Sequence, residues 1–479
     1  MNSVKHTLFI VVDQGFAARY LLRTDIFTTL KNSGARIVIL TPNADEDYFI
    51  KEFDDENVYI EPIKVDEYKQ YSGNRIQFFL QQARWFSMNG DMDLHTVNLR
   101  YGIHKNLREN SRLKSKIKNF LFDVCVSVLR KSRWSRQFEI KVESKFFTPT
   151  FHADLFQKYK PDKVVITSLG YLGFDHYLIR EARKHGVTII SVILSWDNTS
   201  SKGMPGAEVD HVIAWTEAMK DELVGYSDVK PQQITVGGVA HFDYHVREEN
   251  IWPRQKLYEH FALDPERKLI FFAPKSPNKF PWNPDIVEFL AQSVNEGAFT
   301  YPCQLLVRLH PLNFRTKNGE FRFQEDTERH MRLSRKYDHL VYDVPEIVSK
   351  TLPMDMPASE MGKLSSILQN ADVLLSYFST MMLEASIFDL PTINVALFPH
   401  TDKLDEDDLR IVESPHIRRI LETGGVRSAF TKGQLIDTIN AYLENPTLDA
   451  ESRDLIRTRE CGPNLGQAGR TIAEKILAV

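Results

Sequence analysis

Short apolar runs recur along the chain, each followed by a small polar or glycine turn and then by apolar residues at helical spacing. Residues 6–12 form the first run, Asp13-Gln14-Gly15 turn the chain, and 16–32 predict a helix that Gly34 ends before a strand at 36–40. Strands buried on both faces read as continuous apolar stretches, so this pattern predicts β-α-β units in a parallel, doubly wound sheet. Further strands are expected at 58–60, 163–167, 188–194, 211–215 and 234–236, with a helix over 174–185 closed by Gly186. The alternation breaks at 74–145, which reads as a mainly helical insertion.

The second half repeats the theme, and its strand ends carry chemistry. The strand at 269–274 delivers Lys275 and Ser276 to a loop, with Lys279 after them. A strand at 305–309 delivers His310, with Arg308 just before it. The strand at 372–375 is followed by Ser376, Ser379 and Thr380 where a helix opens, and Glu384 stands about one turn further on. In open parallel sheets ligands sit beyond the carboxyl ends of the strands. Cations, an imidazole, hydroxyls and free N–H groups at one edge suit a diphosphate, and Glu384 could accept hydrogen bonds from a ribose diol. The glycine fingerprint of dinucleotide binding is missing from the first turn, which has only Gly15.

Length and charge narrow the picture. A chain of 479 residues suits two domains, and a formal net charge of −4 gives no reason to expect nucleic acid as a partner. Cys125, Cys303 and Cys461 are scattered, which fits a reducing compartment better than a disulfide framework or zinc site. No apolar run of about 18 residues and no cleavable leader pattern are present, so a cytoplasmic protein is expected. The pattern Asp91-Met92-Asp93 falls in a loop of the insertion and is expected to be surface punctuation rather than a metal site.

The RLHP sequence at 308–311, the spaced Asp372, Ser376, Ser379, Thr380 and Glu384 before a PTINV strand, and SWDNTSSKG at 195–203 together resemble bacterial nucleotide-sugar glycosyltransferases of the GT-B architecture. The likeness is greatest to the CDP-glycerol glycerophosphotransferase-like, surface-polysaccharide group, and it runs from about Asp162 to the C-terminus. It implies two Rossmann-like domains facing across a cleft. These are an acceptor domain at 1–246 with the basic helical insertion, a donor domain at 247–467, and a terminal helix at 468–479 returning to the first. It implies a nucleotide-sugar donor, a glycan or lipid-linked acceptor, and no cofactor or metal.

Transfer needs the leaving diphosphate stabilised, for which Lys275, Ser276, Arg308, His310, Ser376, Ser379 and Thr380 are candidates, with Glu384 on the ribose. An inverting reaction also needs a base, and Asp13 and Asp197 both leave first-domain strands, with Gly15, Ser195, Trp196 and Asn198 on the same acceptor side. Three other activities use related parts: polyol-phosphate transfer from a CDP-linked donor, epimerisation of a UDP-sugar at C2, and nucleotide-sugar binding without turnover. Residues 105–136 carry Lys105, Arg108, Arg112, Lys114, Lys116, Lys118, Arg130, Lys131, Arg133 and Arg136 around Trp134. They read either as a solvated helical face or as a peripheral contact with the inner face of the cytoplasmic membrane.

Overall fold

The structure is a computed structural model that describes residues 6–89, 94–108, 113–171, 174–314, 316–317, 320–349, 351–352, 354–397 and 414–479. The chain separates into two compact units. One comprises the described residues of 1–240, 413–416 and 468–479, the other those of 241–412 and 417–467.

The first unit is built on a seven-stranded sheet of β1 (Thr7–Val11), β2 (Arg36–Thr41), β3 (Val58–Pro62), β4 (Lys163–Ile166), β5 (Thr188–Val192), β6 (His211–Ala214) and β7 (Ile234–Val236). All strands are parallel, in the order β3-β2-β1-β4-β5-β6-β7. The order reverses direction between β1 and β4, where Phe9 pairs with Val164. Every residue of β1 is buried, as expected for a strand with helices on both faces.

The helix expected over 16–32 is broken. A short turn at Gly15–Ala17 runs into a wider π-type turn at Ala18–Leu22, and a new helix, Asp25–Asn32, starts after Thr24. Thr24 explains the break, because its hydroxyl caps the second helix by accepting from the Ile26 N–H at 3.3 Å. The Ala468–Ala478 helix packs in this unit, where Lys163 Nζ closes its C-terminal end by donating to the carbonyls of Ile476 and Leu477 at 2.9 and 2.7 Å.

The insertion in this unit consists of helices Arg75–Trp85, His95–Asn106, Leu113–Lys131 and Arg133–Phe146 around a core that includes Phe86, Val97, Phe122, Val126 and Ile140. A buried ion network fastens it to the sheet layer. Glu143 holds Arg84 at 2.9 Å and Arg180, from the helix after β4, at 2.5 Å. Gly203, at φ +79, lets the 195–203 turn lie against the insertion, since a Cβ there would meet the Trp85 carbonyl at 2.4 Å. Asp91 and Asp93 lie outside the described residues.

The second unit has a six-stranded parallel sheet of β8 (Lys268–Ala273), β9 (Cys303–Arg308), β12 (Leu340–Asp343), β13 (Val373–Ser376), β14 (Thr392–Val395) and β15 (Val426–Ala429). The order is β12-β9-β8-β13-β14-β15, with a short antiparallel pair, β10 (Thr316–Lys317) and β11 (Glu320–Phe321), outside it. Here the direction reverses between β8 and β13, where Phe271 pairs with Leu374. One apolar cluster lies on each face of the sheet, the first including Phe272, Leu305, Val307 and Tyr442, the second Phe271, Leu306, Ile367 and Leu374. The alternation of Leu305, Leu306 and Val307 between the clusters is the period of two that a strand imposes.

Candidate functional site

At the switch point of the second sheet, strand ends β8, β9 and β13 bring three of the expected groups together. Lys275, just beyond β8, donates from Nζ to the Phe378 carbonyl at 3.4 Å, and its backbone carbonyl is held by Asn283 Nδ2 at 2.8 Å. His310 lies close enough to feel that ammonium. Burial first, and the Lys275 charge second, push the His310 imidazole down to about 4, so it is neutral near pH 7. Its Nδ1 accepts from the Leu312 N–H at 3.1 Å, which leaves the ring proton on Nε2 as a donor.

The turn after β13 is strained. Phe378 has φ +27, a region that bulky side chains rarely occupy, and its N–H is held by Asn394 Oδ1 at 3.2 Å. That bend presents Ser379 and Thr380, both half-buried, before the Met381–Ile387 helix. The Ser379 hydroxyl accepts from the Met381 N–H at 3.3 Å and keeps its own proton to donate. Ser276 is half-buried in the neighbouring loop, where its carbonyl fixes the turn through the N–H groups of Lys279 and Phe280, both at 3.1 Å.

Two expected members are engaged elsewhere. Ser376 is fully buried and its hydroxyl donates to the Ala273 carbonyl at 3.1 Å, tying β13 to β8. Arg308 is buried between Asp343, at very short range, and Glu360 at 2.6 Å, while Lys363 spans the same two carboxylates at 2.8 and 2.7 Å. Two cations and two anions balance there, so Arg308 has no spare charge for a ligand. Sequence position alone placed it at the right strand end. Which way its side chain turns depended on acids 35 and 52 residues away.

Glu384 is buried at the start of the Met381–Ile387 helix, with Oε2 3.0 Å from His245 Nε2; His245 Nδ1 is in turn 2.8 Å from Ser365 Oγ. This Glu384-His245-Ser365 chain was not legible from spacing. The sequence signal was no more than a histidine, His245, in the stretch after β7.

The switch point of the first sheet is acidic. Asp13 leaves β1, and Gly15 opens the short turn after it. Asp175, the first residue of the helix after β4, is buried and shares a hydrogen bond with Asp13. The Ser168 hydroxyl also donates to Asp175. Burial first, then the Asp13 charge, raise the Asp175 carboxyl well above its ordinary range. Burial raises Asp13 as well, against the lowering effect of its own backbone and the Asp175 bond. Two such carboxyls side by side share a proton, with Asp175, the more buried of the two, as its holder. Asp175 escaped the sequence reading because an acid in the first turn of a helix looks like an ordinary dipole partner.

Asp197 behaves in the opposite way. Burial pushes it up, but Lys202, His416 and the hydroxyls of Ser195 and Ser201 outweigh that and hold it below the usual carboxylate range. The contacts are Ser195 at 2.7 Å, Ser201 at 2.9 Å and Lys202 at 3.1 Å. A carboxylate so stabilised is a weak proton acceptor, which removes Asp197 as a base and makes it the organiser of its turn. Beside it, buried Trp196 meets His416 edge to face at 4.8 Å, and Ser200 Oγ lies 2.9 Å from His416 Nδ1. Asn198 Nδ2 and the Tyr171 hydroxyl are buried there without hydrogen-bond partners. Among the described residues no group of three or more His, Cys, Asp or Glu could hold a metal ion.

No protein-family model matches the chain, and no curated protein sequence matches it. Solved structures do. A putative UDP-N-acetylglucosamine 2-epimerase from Listeria monocytogenes superposes with a TM-score of 0.53 at 12% identity, covering 99% of this chain and 95% of that one. The UDP-GlcNAc 2-epimerase from Methanocaldococcus jannaschii gives 0.51 at 12%, covering 99% and 100%. A glycosyltransferase from Rickettsia africae gives 0.50 at 12%, covering 99% of each. Likeness at this identity carries the architecture, and the two parallel-sheet Rossmann-like units of this chain have the GT-B fold.

Proposed function

We propose that the chain is a nucleotide-sugar-dependent glycosyltransferase, transferring a sugar to an acceptor hydroxyl with inversion and without a metal. The observation that carries this reading is the gathering of Lys275, neutral His310 and the strained Ser379-Thr380 turn around the β8/β13 switch point. A leaving nucleoside diphosphate gains negative charge as the glycosidic bond breaks. Fixed donors aimed at that charge stabilise the transition state more than the ground state. Lys275 supplies the charge, His310 Nε2 and the two hydroxyls supply directed bonds, and Ser276 lines the approach. Asp13 takes the acceptor proton, its basicity raised by burial against the lowering effect of the Asp175 bond. Glu384 bonds the ribose through the oxygen that His245 does not use.

The finer likeness to CDP-glycerol transferases belongs to the same reading as a variant in donor type. Release of CMP in place of a nucleoside diphosphate would select it.

A second reading is epimerisation, favoured by the fold likeness to proteins described as UDP-GlcNAc 2-epimerases. It needs an acid and a base on one substrate and no acceptor. A thermal-shift screen of nucleotides and nucleotide sugars identifies the ligand first, since a ligand at a hundred times its Kd adds about 2.7 kcal/mol. Incubation with the stabilising nucleotide sugar alone then decides. Epimer formation without acceptor sinks the transferase reading, and acceptor-dependent release of nucleoside diphosphate supports it.

A further inference from the structure

The insertion of the first unit carries a second apolar face that its own core does not cover. On the Leu113–Lys131 helix, Phe122, Val126 and Leu129 enter the insertion core. On the other side Ile117, Phe120, Leu121, Val124 and Val128 are 61%, 67%, 58%, 44% and 55% exposed. Their spacing of three, four, seven and eleven residues makes one helical stripe. The Arg133–Phe146 helix adds Trp134 and Phe138, also exposed, with rings stacked at 5.3 Å. Ser135 joins the two helices at their corner, donating to the Val128 carbonyl at 3.1 Å. Single exposed apolar residues are ordinary, but a run of seven large ones on two adjoining helices marks an interaction surface.

Charge identifies the occupant. Within 115–146 the exposed charged residues are Lys116, Lys118, Lys131, Arg133, Lys141 and Lys145, all basic. The acids of that span are turned inward. Glu139 and Glu143 are buried, and Asp123 is taken by Arg108 and the Tyr101 hydroxyl. Other basic residues of 105–136 are structural: Arg136 is buried in a two-bond pair with Asp228, and Arg130 donates to the Phe86 carbonyl at 2.8 Å. Arg112 and the side chain of Lys114 lie outside the described residues. A second copy docked on this face about a twofold axis would set lysines against lysines.

We infer that this face docks on an anionic lipid surface, with the apolar stripe entering the headgroup boundary and the lysines meeting the phosphates. Among the described residues no helix is long and apolar enough to cross a membrane, so the contact lies in the plane of the interface. The inference goes beyond the transfer reading and does not depend on it.

The test is flotation of the full chain with vesicles of phosphatidylcholine alone or mixed with phosphatidylglycerol. The protein should float with the mixed vesicles only, and added salt should release it. The variants Phe120→Glu and Trp134→Glu replace exposed side chains, so their melting temperatures should match wild type while vesicle-bound protein falls roughly tenfold. Lys432→Glu, an exposed change in the second unit, should float as wild type. Absence of flotation on mixed vesicles overturns the inference, as does equal flotation of the three variants. A dimer in solution that Phe120→Glu dissociates, with no lipid binding, would assign the face to a second copy.

Discussion

At the switch point of the first sheet stand Asp13 and Asp175, two adjacent carboxyls; at that of the second stand Lys275 and His310, a cation beside a neutral donor. The strands behind them follow the same rule, with order reversing between β1 and β4 in one unit and between β8 and β13 in the other. The same topology therefore exposes opposite chemistry. In each unit the first strand and its neighbours supply the loops, β1 and β4 in one and β8, β9 and β13 in the other, and a few loop residues set the sign of the charge. The acidic crevice is suited to taking protons and the cationic one to holding an anion. The transfer proposed above would draw its base from the first and its diphosphate contacts from the second, and function is argued from those sites rather than from the fold.

The comparison breaks most visibly at Asp13. Asp13→Asn keeps the shape and removes the proton acceptor, so turnover should fall by about 10²–10⁴-fold with nucleotide affinity unchanged, read by steady-state kinetics beside titration calorimetry. A variant that still transfers at near wild-type rate would leave the acidic crevice without a catalytic part. His310→Ala tests the other crevice. Losing one directed donor should lower turnover by roughly 10²-fold while the melting temperature of the empty protein stays near wild type. A parallel collapse of stability would make His310 a packing residue.

The strand ends of both crevices were legible in the sequence, because buried parallel strands announce themselves as apolar runs and their ends follow directly. Lys275, His310, Ser379 and Thr380 could be named from position alone. Arg308 and Ser376 sat at equally good positions and point elsewhere, since a side chain's direction is set by partners far along the chain: Asp343 and Glu360 for Arg308, the Ala273 carbonyl for Ser376. The Asp13-Asp175 pair was half legible. Asp13 follows a strand, whereas Asp175 acquires meaning only once β1 and β4 lie side by side, 155 residues of chain separating the Thr7 N–H from the Asp162 carboxylate it bonds there. The broken helix at 16–32 was hidden for a local reason: Thr24 suits a helix interior poorly and a cap well.

A smaller effect is expected at Lys275. Lys275→Ala should weaken binding of a nucleoside diphosphate by about 1.5–3 kcal/mol, the usual range for a hydrogen bond to a charged group, and should do so less at high salt. Calorimetry with the diphosphate and with the matching nucleoside separates the cases. Equal weakening for both would mean that the lysine shapes the loop rather than meeting phosphate.

The smallest effect sharpens the comparison through pH. Asp175 is raised above the ordinary carboxyl value of 3.8 in the folded protein, so the folded state holds a proton that the unfolded chain gives up. Its contribution to stability is complete below that value and is lost as pH rises through the folded pKa. His310 runs the other way. Its folded pKa of about 4 lies under the ordinary imidazole value of 6.5, so its contribution is present above 6.5 and is lost as pH falls towards 4. Asp175→Asn retains a donor for Asp13 but cannot ionise, so its melting temperature relative to wild type should improve steadily as pH rises. His310→Ala should instead gain relative to wild type only on the acid side. Melting curves for both variants across the pH range read the two slopes directly. Parallel curves for wild type and Asp175→Asn would mean that the two carboxyls do not share a proton, and the acidic crevice would lose the feature that distinguishes it from the cationic one.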